Sequence, residues 1–354
     1  MKIKKLNLNN FMIFNHINTS FSPNINIICG ENSTGKTALI KLLYSCVKGC
    51  SDAQNAKGDL TKEKIENMLV SKLQGVFRPD KDTIGRLVNR KQGSNRSDIR
   101  ILFDSDESLE IGFGNRQERH IDVYTDTAPT IGNTSAVYIP PKEIISSTEN
   151  FVSLYSDYHI AFEETYYDLA RLLERPLKKG ANTTEQNAVL RSFEKIVNGS
   201  IIQKDRVFYL KVKGAGEFEM SLVSEGYRKL STIMYLILSG SLSQNSILFW
   251  DEPETNMNPK MIQPMVDAIV ELARLGVQVF ITTHDYFIQQ CFSIASKYQQ
   301  CNKEPLQYSF ISLYKAENGI MLENAPSLSD LSHNAVLEEF DDLYDREQRL
   351  LYGN

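Results

Sequence analysis

GENSTGKT, Gly30–Thr37, stands between the β-rich run NINIICG and the stretch TALIKLLYSCV, whose apolar residues recur at helical spacing. Strand, glycine turn and helix in that order, with GxxxxGK[ST] across the turn, form the pattern of a phosphate-binding loop. The glycines let backbone N–H groups close around phosphate oxygens, and the following helix adds the partial positive charge of its N-terminus. The expected contacts to ATP phosphates are Gly30, Asn32, Ser33, Thr34, Gly35, Lys36, Thr37 and Ala38. Lys36 would reach the β- and γ-phosphates, and the Thr37 hydroxyl would ligate Mg²⁺. The plain alternative is a glycine-rich βα turn without a ligand, against which the flanking strand and helix argue.

Two later strand ends carry groups suited to the same chemistry. In SILFWDEPETNMNP the apolar run ILFW predicts a buried central strand, and carboxylates at its end are costly unless they face a cation. Asp251 is therefore expected to hold Mg²⁺ through its water shell, and Glu252 to orient and deprotonate an attacking water. An acidic loop at a strand end is the alternative. VQVFITTHD is another apolar strand and ends at His284, where a side chain could touch the γ-phosphate. A lone histidine after a strand is more often a surface or capping residue, and its place one strand after the carboxylates argues otherwise.

SEGYRKL, residues 224–230, opens a further helix. By itself it reads as a Ser N-cap. Taken with GENSTGKT, ILFWDEPETNMNP and ITTHD, in this order and spacing, it resembles the signature of the ABC-type ATPase heads of the SMC, RecF and OLD-like families. The resemblance covers residues 1–50 and about 220–290, and the middle in outline. It implies that Ser224 and Gly226 of one subunit contact the γ-phosphate held by the loop of another, so that a homodimer sandwiches ATP. The second glycine and the glutamine of transporter signatures are absent, replaced by Glu225 and Tyr227-Arg228-Lys229. DEPETNMNP is similar to the DEPE form of OLD-like and RecF-like heads, on the DNA-repair and phage-defence branch. KLQGVFRPDKDTIGRLVNR and YIPPKE resemble stand-alone ATPases of Septu-like and retron-associated anti-phage systems. Gln74 is the candidate for the lobe-switch glutamine, set against a solvated helix residue.

The implied fold is α/β: an ABC-type P-loop head with a mixed, mostly parallel sheet flanked by helices, an antiparallel β subdomain and a helical insertion. Residues 1–143 form the N-terminal lobe, 144–199 the helical insertion, 200–320 the C-terminal lobe and 321–354 an acidic helical tail. SDAQNAKGD and RKQGSNRSD read as loops, and FVSLYSDYHIAFEETYYDLARLL and TEQNAVLRSFEKIV as helical cores. IRILFD, LEIGFG and HIDVYT alternate as strands.

The chain has 354 residues, 42% hydrophobic and 23% charged, the composition of a globular protein. Its net charge of −5 excludes a general polycation. DNA contact would need a local patch, for which 57–96 holds ten Lys and Arg against five acids. Five cysteines without paired spacing imply free thiols and a cytoplasmic location. No apolar stretch is long enough for a membrane span. The tail acids 338, 339, 341, 342 and 345 point in different directions along a helix and suit a solvated or partner-binding face rather than a metal.

The expectation is an ATP-hydrolysing dimeric switch coupled to a separate effector, an HNH or Toprim nuclease or a toxin, in anti-phage defence. The alternatives are a DNA repair ATPase of RecF or SMC type, a transporter nucleotide-binding subunit, and a scaffold that binds ATP to assemble.

Overall fold

The computed structural model describes residues 1–125, 134–158, 160–301 and 303–353. KIKKLNLNNF forms β1 (Ile3–Phe11), which pairs antiparallel with β2 (Phe14–Ser20) and buries Ile3, Leu6, Leu8 and Phe11 on one face. β3 (Ile25–Gly30) leads through the glycine turn into α1 (Lys36–Asn55), followed by α2 (Lys62–Phe77). β4 (Arg96–Phe103), β5 (Ser108–Gly114) and the two-residue β6 (Asp122–Val123) extend the antiparallel sheet in the order β2-β1-β4-β5-β6.

β7 (Ser135–Ile139) returns to the central sheet. Then come α3 (Phe151–Tyr158), α4 (Glu164–Leu173) and α5 (Thr184–Val197). A small antiparallel sheet of β8 (Gly199–Lys204), β9 (Val207–Val212) and β10 (Gly216–Glu219) precedes α6 (Glu225–Leu238). From there strands and helices alternate: β11 (Ser246–Asp251), α7 (Pro259–Arg274), β12 (Gln278–Thr282), α8 (Tyr286–Lys297) and β13 (Tyr308–Ala316). β14 (Gly319–Ala325) and α9 (Ala335–Tyr352) end the described chain.

The central sheet has the order β14-β13-β3-β12-β11-β7, parallel throughout except for the edge strand β14. Its inner strands β3, β12 and β11 are buried on both faces, and their side chains divide by alternation between two cores. Ile25, Ile27, Leu248, Trp250, Val279 and Ile281 face the core built with α4 to α8. Ile28, Ile247, Phe249 and Phe280 face α1, α2 and the antiparallel sheet. α1 is thus enclosed between two sheets, as its buried Leu39, Leu42, Leu43, Cys46 and Val47 require.

Three elements depart from the sequence reading. SDAQN continues α1 instead of forming a loop, because α2 packs along it so closely that a Cβ on Gly49 would lie 2.8 Å from Leu69 Cδ2. The helical core 151–173 is broken between α3 and α4, where extended Glu163 pairs with Lys41 of α1 at 2.7 Å. β8 lies in NGSIIQK, where the sequence reading placed no strand. No described helix is long and apolar enough to cross a membrane.

Candidate functional site

Because β3, β12, β11 and β7 are parallel, their C-terminal ends share one edge of the sheet, where ligands of open α/β sheets bind. β3 turns there at Gly30, with φ +144° and the Leu313 carbonyl oxygen 2.2 Å from where a Cβ would stand. Gly35 has φ +93°, and a Cβ would meet the Phe14 ring at 2.4 Å. Both positions therefore demand glycine. Thr34 turns its hydroxyl inward to the Glu31 carbonyl at 2.8 Å, leaving Asn32 and Ser33 exposed at the tip. α1 starts after Gly35 with no side-chain cap and no acid in its first turn, so its leading N–H groups are open to an anion. Ala38 follows in that first turn.

Lys36 is buried, and its ammonium donates to the carbonyls of Gly30 at 2.8 Å and Glu31 at 2.9 Å. Burial pushes its pKa down, against the pull of Glu252, Cys29 and Asp251. A cation satisfied only by carbonyl dipoles is poised to exchange them for phosphate oxygens.

Asp251 closes β11 in register with Thr282 of β12. One carboxylate oxygen accepts hydroxyls from Thr37, at 3.0 Å, and Thr282; the other accepts the Tyr138 hydroxyl at 3.0 Å. Burial pushes its pKa up, and the three hydroxyls oppose the shift. Glu252 has φ +46°, and its backbone N–H donates to the Thr282 hydroxyl at 3.1 Å. Its carboxylate meets His284 Nδ1 at 3.2 Å, so Glu252 and His284 come together in one chain. Buried Glu254 accepts the Thr283 hydroxyl at 2.6 Å and the His284 N–H at 3.3 Å, which holds the turn carrying the imidazole.

A cleft of about 430 Å³ runs from the loop past Met12, Ile13 and Phe77. It meets a second, of about 470 Å³, at Thr37 and Glu252; Asp251, Tyr138 and Lys142 line that one. A larger cavity of about 790 Å³ between α1 and α4 contains none of the strand-end groups. The chemistry points to the first two clefts. Thr37 and Asp251 offer oxygen donors only, which fits a hard divalent cation such as Mg²⁺. Among the described residues no cluster of three or more His, Cys, Asp and Glu is placed to hold a metal, the acidic face of α9 included.

Ser224 sits at the N-cap of α6, but its exposed hydroxyl makes no capping bond. Gly226 is buried beside Met257 and Met261, where a Cβ would meet only ordinary contacts from 3.5 Å. Gln74 lies on α2, with its amide donating to the Asp82 carbonyl at 2.5 Å. Within the basic region, Lys72 is buried among Glu164, Asp168 and Asp52, while Arg96 pairs with Asp98 and Asp122. Those two cations are neutralised inside the chain.

Tyr138, Thr282, Glu254 and Lys229 are site residues that the sequence reading passed over. Lys229 had a signal: it lies on the Gly226, Leu230, Ile233, Ile237 side of α6, where periodicity predicts burial.

Fold and site define a P-loop ATPase domain with the fold of an SMC head. The chain superposes on an SMC head bound to the C-winged helix domain of ScpA with a TM-score of 0.56 and 13% identity, over 93% of this chain and 99% of that one. Residues 25–288 match the family described as "AAA domain, putative AbiEii toxin, Type IV TA system", and the chain belongs to that family. It is also similar to the DNA replication and repair protein RecF of Clostridium botulinum, 28% identical over 111 residues, which is 31% of this chain and 27% of that protein. RecF of Ruminiclostridium cellulolyticum is 36% identical over 108 residues, 28% of each chain. The match thus spans little more than a quarter of these relatives' length.

Proposed function

We propose that this chain binds and hydrolyses ATP and works as a homodimeric nucleotide switch. The observation that carries the reading is the convergence of Lys36, Thr37, Asp251, Glu252 and His284 on one sheet edge, with Thr37 joined to Asp251 and Glu252 to His284. A triphosphate seated on the loop takes the Lys36 ammonium in place of the Gly30 and Glu31 carbonyls. Thr37 and Asp251 would hold Mg²⁺, whose chemistry when bound would be to offset the negative charge of the phosphates. Glu252 accepts a proton from the attacking water, and His284, bonded to the same carboxylate, orients it toward the γ-phosphate. Ser224 and Gly226 complete the site of a second copy; the uncapping Ser224 hydroxyl and the unforced glycine support such a contact.

Glu252→Gln tests the core of this reading. Nucleotide affinity is expected to hold while turnover falls about a hundredfold or more and ATP-bound dimers accumulate in sedimentation. Normal turnover would remove Glu252 from its role.

As output we propose a separate effector, an HNH or Toprim nuclease or a toxin, in anti-phage defence. The OLD-like DEPE form and the toxin–antitoxin description of the family support it. The RecF relatives support the alternative, a DNA repair ATPase. Salt-dependent DNA binding with a steep negative slope separates the two.

A further inference from the structure

Lys229 lies in the second turn of α6 and is 1% exposed. Its ammonium donates to the Thr255 carbonyl at 2.8 Å and, more weakly, to those of Glu252 and Pro253 at 3.5 Å. Among the described residues it forms no ion pair. An ammonium loses its hydration on burial, and carbonyl dipoles converging on it are what replace that water. The loop they belong to is strained, with Glu252 at φ +46° and Asn256 at φ +60°, in the left-handed region that side chains seldom adopt. Its own backbone bonds, Thr255 N–H to Glu252 at 3.2 Å and Met257 N–H to Glu254 at 2.8 Å, close tight turns. A second link comes from the same helix: the Asn256 amide donates to Glu225 at 2.9 Å.

We infer that Lys229 is a positioning residue, fixing the backbone of the Glu252–Asn256 loop, and with it the Glu252 carboxylate, to the helix that begins at Ser224. This role rests on the hydrolytic reading of Glu252 proposed above. Its consequence is that the turn offered to a neighbouring copy and the general base of the chain's own site move as one body. Nucleotide held at one site of the dimer then acts on the carboxylate of the other.

The test is Lys229→Met, which keeps the buried stem and deletes the ammonium, assayed in the full chain for ATP affinity and single-turnover hydrolysis. Expected are an ATP Kd within about threefold of the parent and a hydrolysis rate lower by about tenfold or more, since small displacements of a catalytic group are costly in rate. Lys229→Arg keeps the charge with a fork that fits the three carbonyls less well, and is expected to fall between the two. Because Lys229 acts through Glu252, Lys229→Met combined with Glu252→Gln is expected to be no slower than Glu252→Gln alone. An unchanged rate in Lys229→Met, a loss confined to ATP affinity, or fully additive losses in the double variant would overturn the inference. Should Lys229→Met fail to fold, Lys229→Arg carries the test, and parent-like hydrolysis in it is the overturning result. A parent chain that binds ATP but does not hydrolyse it overturns the hydrolytic reading and this role together, an outcome distinct from active parent and unaltered variants.

Discussion

Two glycines answer opposite demands. Gly30 is fixed by its own fold, since a Cβ would meet the Leu313 carbonyl oxygen at 2.2 Å. Gly226 is not, since the nearest atom to its absent Cβ is Met257 Cγ at 3.5 Å. In a helical first turn alanine is better than glycine by up to about 1 kcal/mol. Gly226→Ala is therefore expected to leave the urea midpoint of the isolated chain unchanged or raised, yet to impair ATP-driven association; loss of stability would place the glycine's purpose inside the monomer. The buried carboxyls set a pH dependence of their own. Burial raises the pKa of Asp251 above 3.8 and of Glu254 above 4.5. The folded chain thus keeps these protons over a range where the unfolded chain has released them. That contribution is fully present below the unfolded values and is lost as pH rises through the folded ones. The contribution of these two carboxyls to stability without nucleotide is expected to fall as pH rises above about 4, where the unfolded carboxyls ionise and the folded ones do so later, and Asp251→Asn with Glu254→Gln to flatten the fall in urea titrations. Of this site, the groups set by linear pattern were legible: Lys36, Thr37, Asp251, Glu252 and His284. Tyr138 and Thr282 were not, because they reach Asp251 only through strand register, which places β7 and β12 on either side of β11.

The helices show what holds the loop's helix in place. Lys72 of α2 donates to Glu164 and, at 2.9 Å, to Asp168 of α4, while Tyr44 of α1 donates to the same Asp168 at 2.6 Å. Gly75 makes room for this, since a Cβ there would collide with the Glu164 carboxylate. One cation therefore fastens three helices. Removing it strands two carboxylates in a buried site, and Lys72→Ala is expected to cost about 3–5 kcal/mol by urea unfolding. Lys4→Ala, which breaks the exposed pair with Asp106, is expected to cost about 1 kcal/mol or less. Equal losses would show that burial is not what gives the cluster its weight. Sequence reading placed Lys72 in a basic patch because charge counting along a chain cannot tell a solvated lysine from one enclosed by a helix ninety residues later. The same limit explains α1. SDAQN looks like a loop by composition, yet it continues the helix where α2 packs against Gly49. Elements with strong alternation or helical spacing of their own, such as β1, β3, β11 and α5, were legible from local sequence.

At the scale of the whole molecule, the decisive question is whether one chain holds a complete site. Lys36, Thr37, Asp251, Glu252 and His284 converge within it, while Ser224 opens a helix with its hydroxyl exposed and unused. If Ser224 serves a second copy, a chain damaged there and a chain damaged at Glu252 carry complementary defects. Ser224→Arg is expected to retain nucleotide binding as a monomer but to lose ATP-driven dimerisation in sedimentation, and so to lose turnover. Glu252→Gln is expected to lose turnover by a different route, retaining association. In a mixed dimer, the loop and general base of the Ser224→Arg chain meet the intact Ser224 of the Glu252→Gln chain, which restores one whole site of the two. Mixing the two inactive proteins is thus expected to regenerate ATP hydrolysis, rising as the mixture approaches equal amounts. A site completed within one chain predicts no recovery at any ratio, because neither protein then supplies what the other lacks.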